Sequence, residues 1–401
     1  MEIRPLFAAA LLAAPTLAQT TPPTTDLDGG DHGSMREALD RTGTRLDDWI
    51  DRFRLSGFVA ARAFDTERGG TRPDGAIGIQ AASLFVDVAV QDVASAFLEL
   101  RFDNFVEAGT NEAGIGEAYV TLHDVTTLGG AGLDLRVGRF DLPFGEWYLQ
   151  EDPDKNRLVG FPAAIPYRWD EGIEAFADWG DYGFIAALTD GSYSRTSETD
   201  AGIGPAFTVR LHARPSNGVY VSLSGMYVHE AEESALCFGG SVITPVTGSI
   251  TGTSPSAVVQ STLGSLDLIL QAHPDLHLQL SAGGGQVDDE SDVFDRAILW
   301  FMVEPSWTFA ANWALTARLS GAGTFDDRDG FAFDGRPYAA GSTYGFELSS
   351  LQRAQLGVSH TLGKGLVVKA EVGCDRLSAI DPSFLPDETR MFTAAELVFS
   401  F

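Results

Sequence analysis

The sequence predicts an all-β fold: a transmembrane antiparallel β-barrel of about 16 strands with a short N-terminal periplasmic helix. Three observations predict it. The chain closes on Ala394-Ala-Glu-Leu-Val-Phe-Ser-Phe401, in which Ala395, Leu397, Phe399 and Phe401 share one face and Ala394, Glu396, Val398 and Ser400 the other. The links between alternating segments are short and long by turns. A secretory leader opens the chain, yet no later apolar run reaches the ~20 residues of a spanning helix. An exported chain without a helical anchor can cross lipid only as a closed barrel, which leaves no backbone edge unpaired.

Residues 1–18 read as a signal peptide. Arg4 gives a basic start, Leu6 to Ala14 an apolar run, and Thr16-Leu17-Ala18 the small residues of a cleavage site before Gln19. Residues 19–52 form a linker and a short amphipathic helix. The first part is rich in Thr, Pro, Asp and Gly. Met35, Leu39, Leu46, Trp49, Ile50 and Phe53 then recur at helical spacing, and Ser34 with Glu37 makes a capping box. This helix packs at the mouth of the barrel or serves as a plug or coiled coil. The barrel itself is expected over 53–401.

Strands are expected near 53–64, 76–91, 92–104, 113–124, 131–140, 168–179, 182–190, 203–213, 218–229, 257–272, 275–286, 293–305, 312–323, 342–361, 365–376 and 389–401. Alternation is plain in several. Leu276, Leu278 and Leu280 share a face, and Lys369 and Glu371 oppose Val368, Ala370 and Val372. A sandwich would alternate in the same way. Its links would not sort by length, and here they do. Gln91-Asp92, Val125 to Gly130, Gly180-Asp181, Arg214 to Gly218, His273 to Asp275, Ala310 to Asn312 and Leu362 to Lys364 are short. Segments 65–75, 105–112, 141–167, 191–202, 230–256, 287–292, 324–341 and 377–388 are long. Tight turns at one end and long loops at the other are the mark of a membrane barrel. Trp313, beside a short turn, fits either an aromatic girdle or a core position. About 16 strands leave a lumen too wide for wall side chains to fill.

The net charge of −29 argues against nucleic-acid binding. Cys237 falls in a long loop and Cys374 continues an apolar strand face, so no disulfide is expected. The runs Asp326-Asp-Arg-Asp-Gly330 and Asp288-Asp-Glu-Ser-Asp292 lack calcium-loop spacing and read as solvated loops or as divalent bridges to lipopolysaccharide. The histidines, His123 among them, are scattered. With no metal spacing, no Gly-x-Ser-x-Gly elbow, no phosphate loop and no triad-like set, neither an enzyme, a cofactor nor a resident metal is expected.

The most distinctive internal segment is Leu135-Arg-Val-Gly-Arg-Phe-Asp-Leu-Pro-Phe-Gly-Glu-Trp147, where Pro143 and Gly145 end a strand and turn the chain. Its Gly-Arg-Phe-x-x-Pro-Phe-Gly stretch, with the aromatic closing strand, resembles Gram-negative outer-membrane porins of the phosphate-selective porin O/P-like family. The resemblance implies that the loop between the fifth and sixth strands folds into the lumen. Candidate constriction residues are then Asp141, Glu146, Glu151, Asp152, Asp154, Lys155, Arg157 and Arg168. If the loop stays outside, these acids solvate the rim. Strand parity gives Arg54, Arg62, Glu99, Arg101, Arg136, Arg210, Arg318, Arg353, Lys369 and Glu371 as candidate lumenal charges. Opposed charges across a constriction tune ion selectivity. The family's lysine rows are missing here, which points to a mixed or mildly cation-preferring pore.

The function expected is passive diffusion of small hydrophilic solutes or ions through a charged, water-filled pore. A phosphate-type anion channel and a barrel acting as adhesin or anchor are the alternatives. The expected partners are outer-membrane lipid and lipopolysaccharide, the diffusing solutes, and further copies of the chain in a homotrimer.

Overall fold

The computed structural model describes residues 53–66, 76–90, 93–105, 110–150, 152–163, 169–190, 205–232, 237–238, 241–242, 258–289, 296–324, 348–379 and 387–401. The leader, linker and expected N-terminal helix lie outside the described residues. The strands are β1 (Phe53–Thr66), β2 (Ala76–Val90), β3 (Ala94–Phe105), β4 (Thr110–Leu128), β5 (Ala131–Asp141), β6 (Trp169–Asp178), β7 (Tyr182–Thr189), β8 (Ala206–Ser216), β9 (Val219–Glu232), β10 (Cys237–Phe238), β11 (Ser241–Val242), β12 (Val258–His273), β13 (Leu276–Asp289), β14 (Arg296–Ala310), β15 (Trp313–Thr324), β16 (Leu348–Gly363), β17 (Leu366–Ala379) and β18 (Glu388–Ser400). All but β10 and β11 form one closed antiparallel barrel of 16 strands, each paired with its sequence neighbours. The strand pair β10–β11 is a small ribbon inside the long link after β9, and nothing in the sequence pattern announced it.

Closure is made by β1 against β18, with Val59 opposite Phe399 and Arg62 opposite Glu396. Period two then sorts the side chains. On β18, Leu397 and Phe399 point outward, 44% and 49% exposed, whereas Glu396 and Val398 are buried inside. The same outward apolar row continues through Leu188, Leu211, Leu223, Leu266, Leu299, Leu319, Leu356 and Val372. A band of that extent is not stable in water and calls for an apolar solvent. At the short-turn end Trp179, Tyr182, Trp307, Phe309 and Phe401 stand exposed on the outside. Trp313 joins them, its ring stacked on His360 at 4.1 Å, so it belongs to the outer wall.

Several strands run further than periodicity suggests, β14 to Ala310 and β4 to Leu128 by the most. β4 continues to Leu128, which leaves only Gly129-Gly130 as the turn. A bulge hid this continuation: β4–β5 pairing skips between Leu122 and Thr126, and Asp124 takes a left-handed φ of 48°. β8 likewise extends to Ser216.

Candidate functional site

The segment that follows β5 turns into the barrel. Pro143 cannot continue the ladder, and Gly145 takes φ 71° where a side chain would be strained. Leu142, Phe144 and Trp147 are buried, and they form one cluster with Phe140 at the end of β5 and with Met226, Leu263, Trp300, Met302 and Leu351 of other strands. Burying each large side chain contributes about 2 kcal/mol. This apolar seat explains why the chain leaves the long-loop rim and descends. Val159 joins Phe392 and Ala394 in a smaller cluster on the far wall.

The second half of the segment is held through its backbone. Arg62 of β1 donates to Val159 O at 3.1 Å, Arg318 of β15 to Gly160 O at 2.7 Å, and Arg353 of β16 to Phe161 O at 3.1 Å. Glu371 of β17 accepts the N–H groups of Val159 and Gly160 at 2.6 and 2.8 Å. Lys369 donates to Pro153 O, Arg210 to Gly145 O at 3.3 Å, and Ala163 N–H to Ser320 Oγ at 2.8 Å. Three consecutive carbonyls and two consecutive amides are thus satisfied by four strands. These bases, and Arg136 with them, are neutralised by carboxylates of the wall and, for Arg210, by Glu146 of the inserted segment itself. Arg62 lies 2.8 Å from Glu396, Arg318 2.5 Å from Glu304, Arg353 2.6 Å from Asp375, Lys369 3.1 Å from Glu396, Arg210 3.3 Å from Glu146, and Arg136 3.0 Å from Glu174.

This placement redistributes the candidate charges. Arg62, Arg210, Arg318, Arg353, Lys369 and Glu371 do face inward, but the inserted segment and their acid partners cover them. They cannot oppose the loop acids across open water; they pin the loop instead. Glu146 is also covered, where it accepts the hydroxyl of Tyr220 at 2.7 Å. Arg157 reaches His277 at 2.7 Å and Glu304 at 3.2 Å. The N–H of Asp141 donates to Glu117 at 3.0 Å. Arg54 is exposed close to the short-turn end of β1. Glu151 and Arg168 lie outside the described residues.

The charges left facing water sit on the other side of the lumen. Asp154 and Lys155 are exposed on the inserted segment, with Lys155 3.4 Å from Asp152. Asp152 in turn lies 3.6 Å from Arg101 of β3, and Arg101 lies 3.8 Å from Glu99. Water reaches Asp154, yet the enclosing walls desolvate it; this, and after it the Asp152 carboxylate, raises its pKa above the ordinary aspartate value. Beside this group the wall of β1 to β4 carries an inward stack of Phe58, Phe85, Phe97 and Tyr119 with centroids 5.2–6.0 Å apart, and Arg136 caps Tyr119 at 4.2 Å.

Sequence reasoning missed Glu304, Glu174 and Asp375 as the partners of the inward bases. It also found no triad-like set, whereas three such residues are linked by hydrogen bonds in the structure. Ser95 Oγ lies 3.0 Å from His123 Nε2, and His123 Nδ1 lies 3.0 Å from Asp134 Oδ2. The residues lie on three strands and meet through the pairing of β3 with β4 and of β4 with β5, so no local motif could have revealed them.

No protein-family model matches the chain, and no curated protein matches it in sequence. Solved structures do match in fold. In-vitro folded OmpT, an outer membrane protein of Vibrio cholerae, superposes with a TM-score of 0.58 at 11% identity, covering 87% of this chain and 97% of that one. The outer membrane channel DcaP of Acinetobacter baumannii gives 0.57 at 12% identity, with coverages of 87% and 97%. The anion-selective porin from Comamonas acidovorans gives 0.56 at 10% identity, with coverages of 87% and 99%. At such identities the likeness establishes the barrel architecture.

Proposed function

We propose that this chain is a channel of the bacterial outer membrane through which small hydrophilic solutes and ions diffuse passively. The observation that carries the reading is the segment Leu142–Ala163, pinned inside a closed barrel whose outer face is apolar. The candidate constriction is the exposed pair Asp154 and Lys155 on that segment, with Asp152, Glu99, Arg101 and Glu117 as the charges behind it. Acids outnumber bases in this set, so the pore prefers cations mildly. The phosphate-type alternative loses support, because Arg62, Arg210, Arg318, Arg353 and Lys369 are committed to carboxylates and carbonyls. The export signal, a homotrimeric assembly and contact with lipopolysaccharide belong to the same reading.

Reversal potentials of the reconstituted protein in a salt gradient test it. A modest cation preference is expected, and a strong anion preference would overturn the charge assignment. Liposome swelling with small sugars separates a channel from an anchor. The dense packing of Phe144, Trp147 and Trp300 in the lumen is what favours the anchor as the second reading, and absence of swelling would select it.

A further inference from the structure

We propose that Ser95, His123 and Asp134 form a nucleophilic serine site on the lumen wall that takes the acyl group of small, water-soluble esters. Each residue comes from one of three neighbouring strands, β3, β4 and β5. The order of contacts is that of a serine–base–carboxylate relay: Ser95 Oγ to His123 Nε2 at 3.0 Å, then His123 Nδ1 to Asp134 Oδ2 at 3.0 Å. An ionised carboxylate can only accept, so Nδ1 of the neutral ring carries the proton. Nε2 is then left to accept from the Ser95 hydroxyl. The carboxylate is itself fixed, since Asp134 Oδ1 accepts the N–H of Asp124 at 2.8 Å.

The backbone is shaped around this set. Pairing of β4 with β5 lapses between Leu122 and Thr126, and Asp124 holds a left-handed φ of 48°. The N–H of His123 donates to Val93 O at 2.9 Å, which ties the base to the strand bearing the serine. Bulges and left-handed non-glycine residues are concentrated where a side chain must be re-aimed.

Position sets the substrate class. The three side chains face the lumen and not the hydrocarbon side, so phospholipid acyl chains are excluded. Ser95 is 2% exposed and the His123 side chain 17%, so the acyl groups assigned to this serine are small ones, acetyl first. Ser95 Oγ attacks the ester carbonyl carbon while His123 Nε2 takes the hydroxyl proton. The ester C–O bond breaks, and the alcohol leaves with that proton. Water, deprotonated by the same ring, then releases acetate and restores the serine.

The site requires a lumen wall and no conducting pore, so its fate is separate from the channel reading. The test uses the full folded protein in detergent micelles with p-nitrophenyl acetate, followed by peptide mapping. A nitrophenolate burst of about one equivalent with the acetyl group on Ser95 is expected. Ser95→Ala should abolish the burst while keeping heat-modifiable mobility. His123→Gln should slow it by about 10²-fold or more and flatten its rise with pH, and Ser95→Cys should restore a burst. Acetylation only at other residues, an unchanged burst in Ser95→Ala, or no adduct on correctly folded protein would show that the trio merely staples the bulge and would overturn the proposal. Hydrolysis of phosphatidylcholine vesicles in place of the acetate ester would overturn the substrate class.

Discussion

Arg318 and Gly160 are joined by a 2.7 Å hydrogen bond from guanidinium to backbone carbonyl, across 158 residues of sequence. The same guanidinium lies 4.7 Å from the ring centroid of Trp147, binds Asn156 Oδ1 at 2.8 Å and pairs with Glu304 at 2.5 Å. Arg318→Met removes all four contacts and leaves Glu304 with Arg157 alone. Breaking a fully buried pair from one side costs about 3 kcal/mol or more. Urea unfolding in micelles, followed by tryptophan emission, should show that loss. The double variant Arg318→Met, Glu304→Gln should recover part of it, because no uncompensated carboxylate remains.

Glu371 offers a graded version of the same experiment. One carboxylate oxygen takes two consecutive amides of the inserted segment, and the other accepts from Gln355 at 2.7 Å. Glu371→Ala strands two buried N–H groups and should cost about 3 kcal/mol. Glu371→Gln keeps one acceptor oxygen and trades charge-assisted bonds for neutral ones, at about 1–2 kcal/mol. Single-channel records should grow noisier in the order wild type, Gln, Ala as the segment Val159–Phe161 leaves the wall. Quiet, identical records in all three would mean that the segment does not border the conducting path.

The barrel was legible in the sequence because lipid outside and polar groups inside write period two onto each strand. Leu276, Leu278 and Leu280 do face out, and Lys369 and Glu371 face in. The site was legible only in part, because the inserted segment brings its own apolar surface into the lumen. Ile298, Trp300 and Met302 point inward on β14 to meet it, while Leu299, Phe301 and Val303 point outward. Apolar residues on both faces erase the alternation, and Glu304 disappears from view with it. The bulge at Asp124 hid the end of β4 in another way: two extra residues between Leu122 and Thr126 interrupt the ladder, so the alternation breaks off before the strand does.

Closure of the barrel gives a prediction independent of the lumen. Gly57 and Phe401 exchange both backbone bonds, N–H to O at 3.1 and 3.0 Å. A Cβ added to Gly57 would lie 2.3 Å from the carbonyl oxygen of Ser83 on β2. Gly57→Val therefore forces β1 away from β2 or β18 and should cost about 1–3 kcal/mol. Deleting Phe401 removes the two bonds without the clash, at about 1 kcal/mol each in water and more in lipid. Both should reduce the folded fraction on a heat-modifiable gel, with Gly57→Val also slowing membrane insertion.

Selectivity should respond to pH through Asp154. Its pKa is raised by desolvation and by Asp152, so the carboxyl gains its proton while pH is still above the ordinary aspartate value of 3.8. The charge is present at neutral pH and is lost as pH falls through that raised value. Cation preference should therefore drop in acid before the other exposed carboxylates titrate. Asp154→Asn should show the reduced preference already at neutral pH and no longer change across that window. Lys155→Gln should act in the opposite sense, since it removes the positive charge beside Asp152. One charge a few ångströms from the path is worth about 1 kcal/mol in water, or about fivefold in local counter-ion occupancy. Reversal potentials measured from pH 7 downward on the three proteins decide the matter. Equal curves for wild type and Asp154→Asn would place the path of ions elsewhere in the barrel.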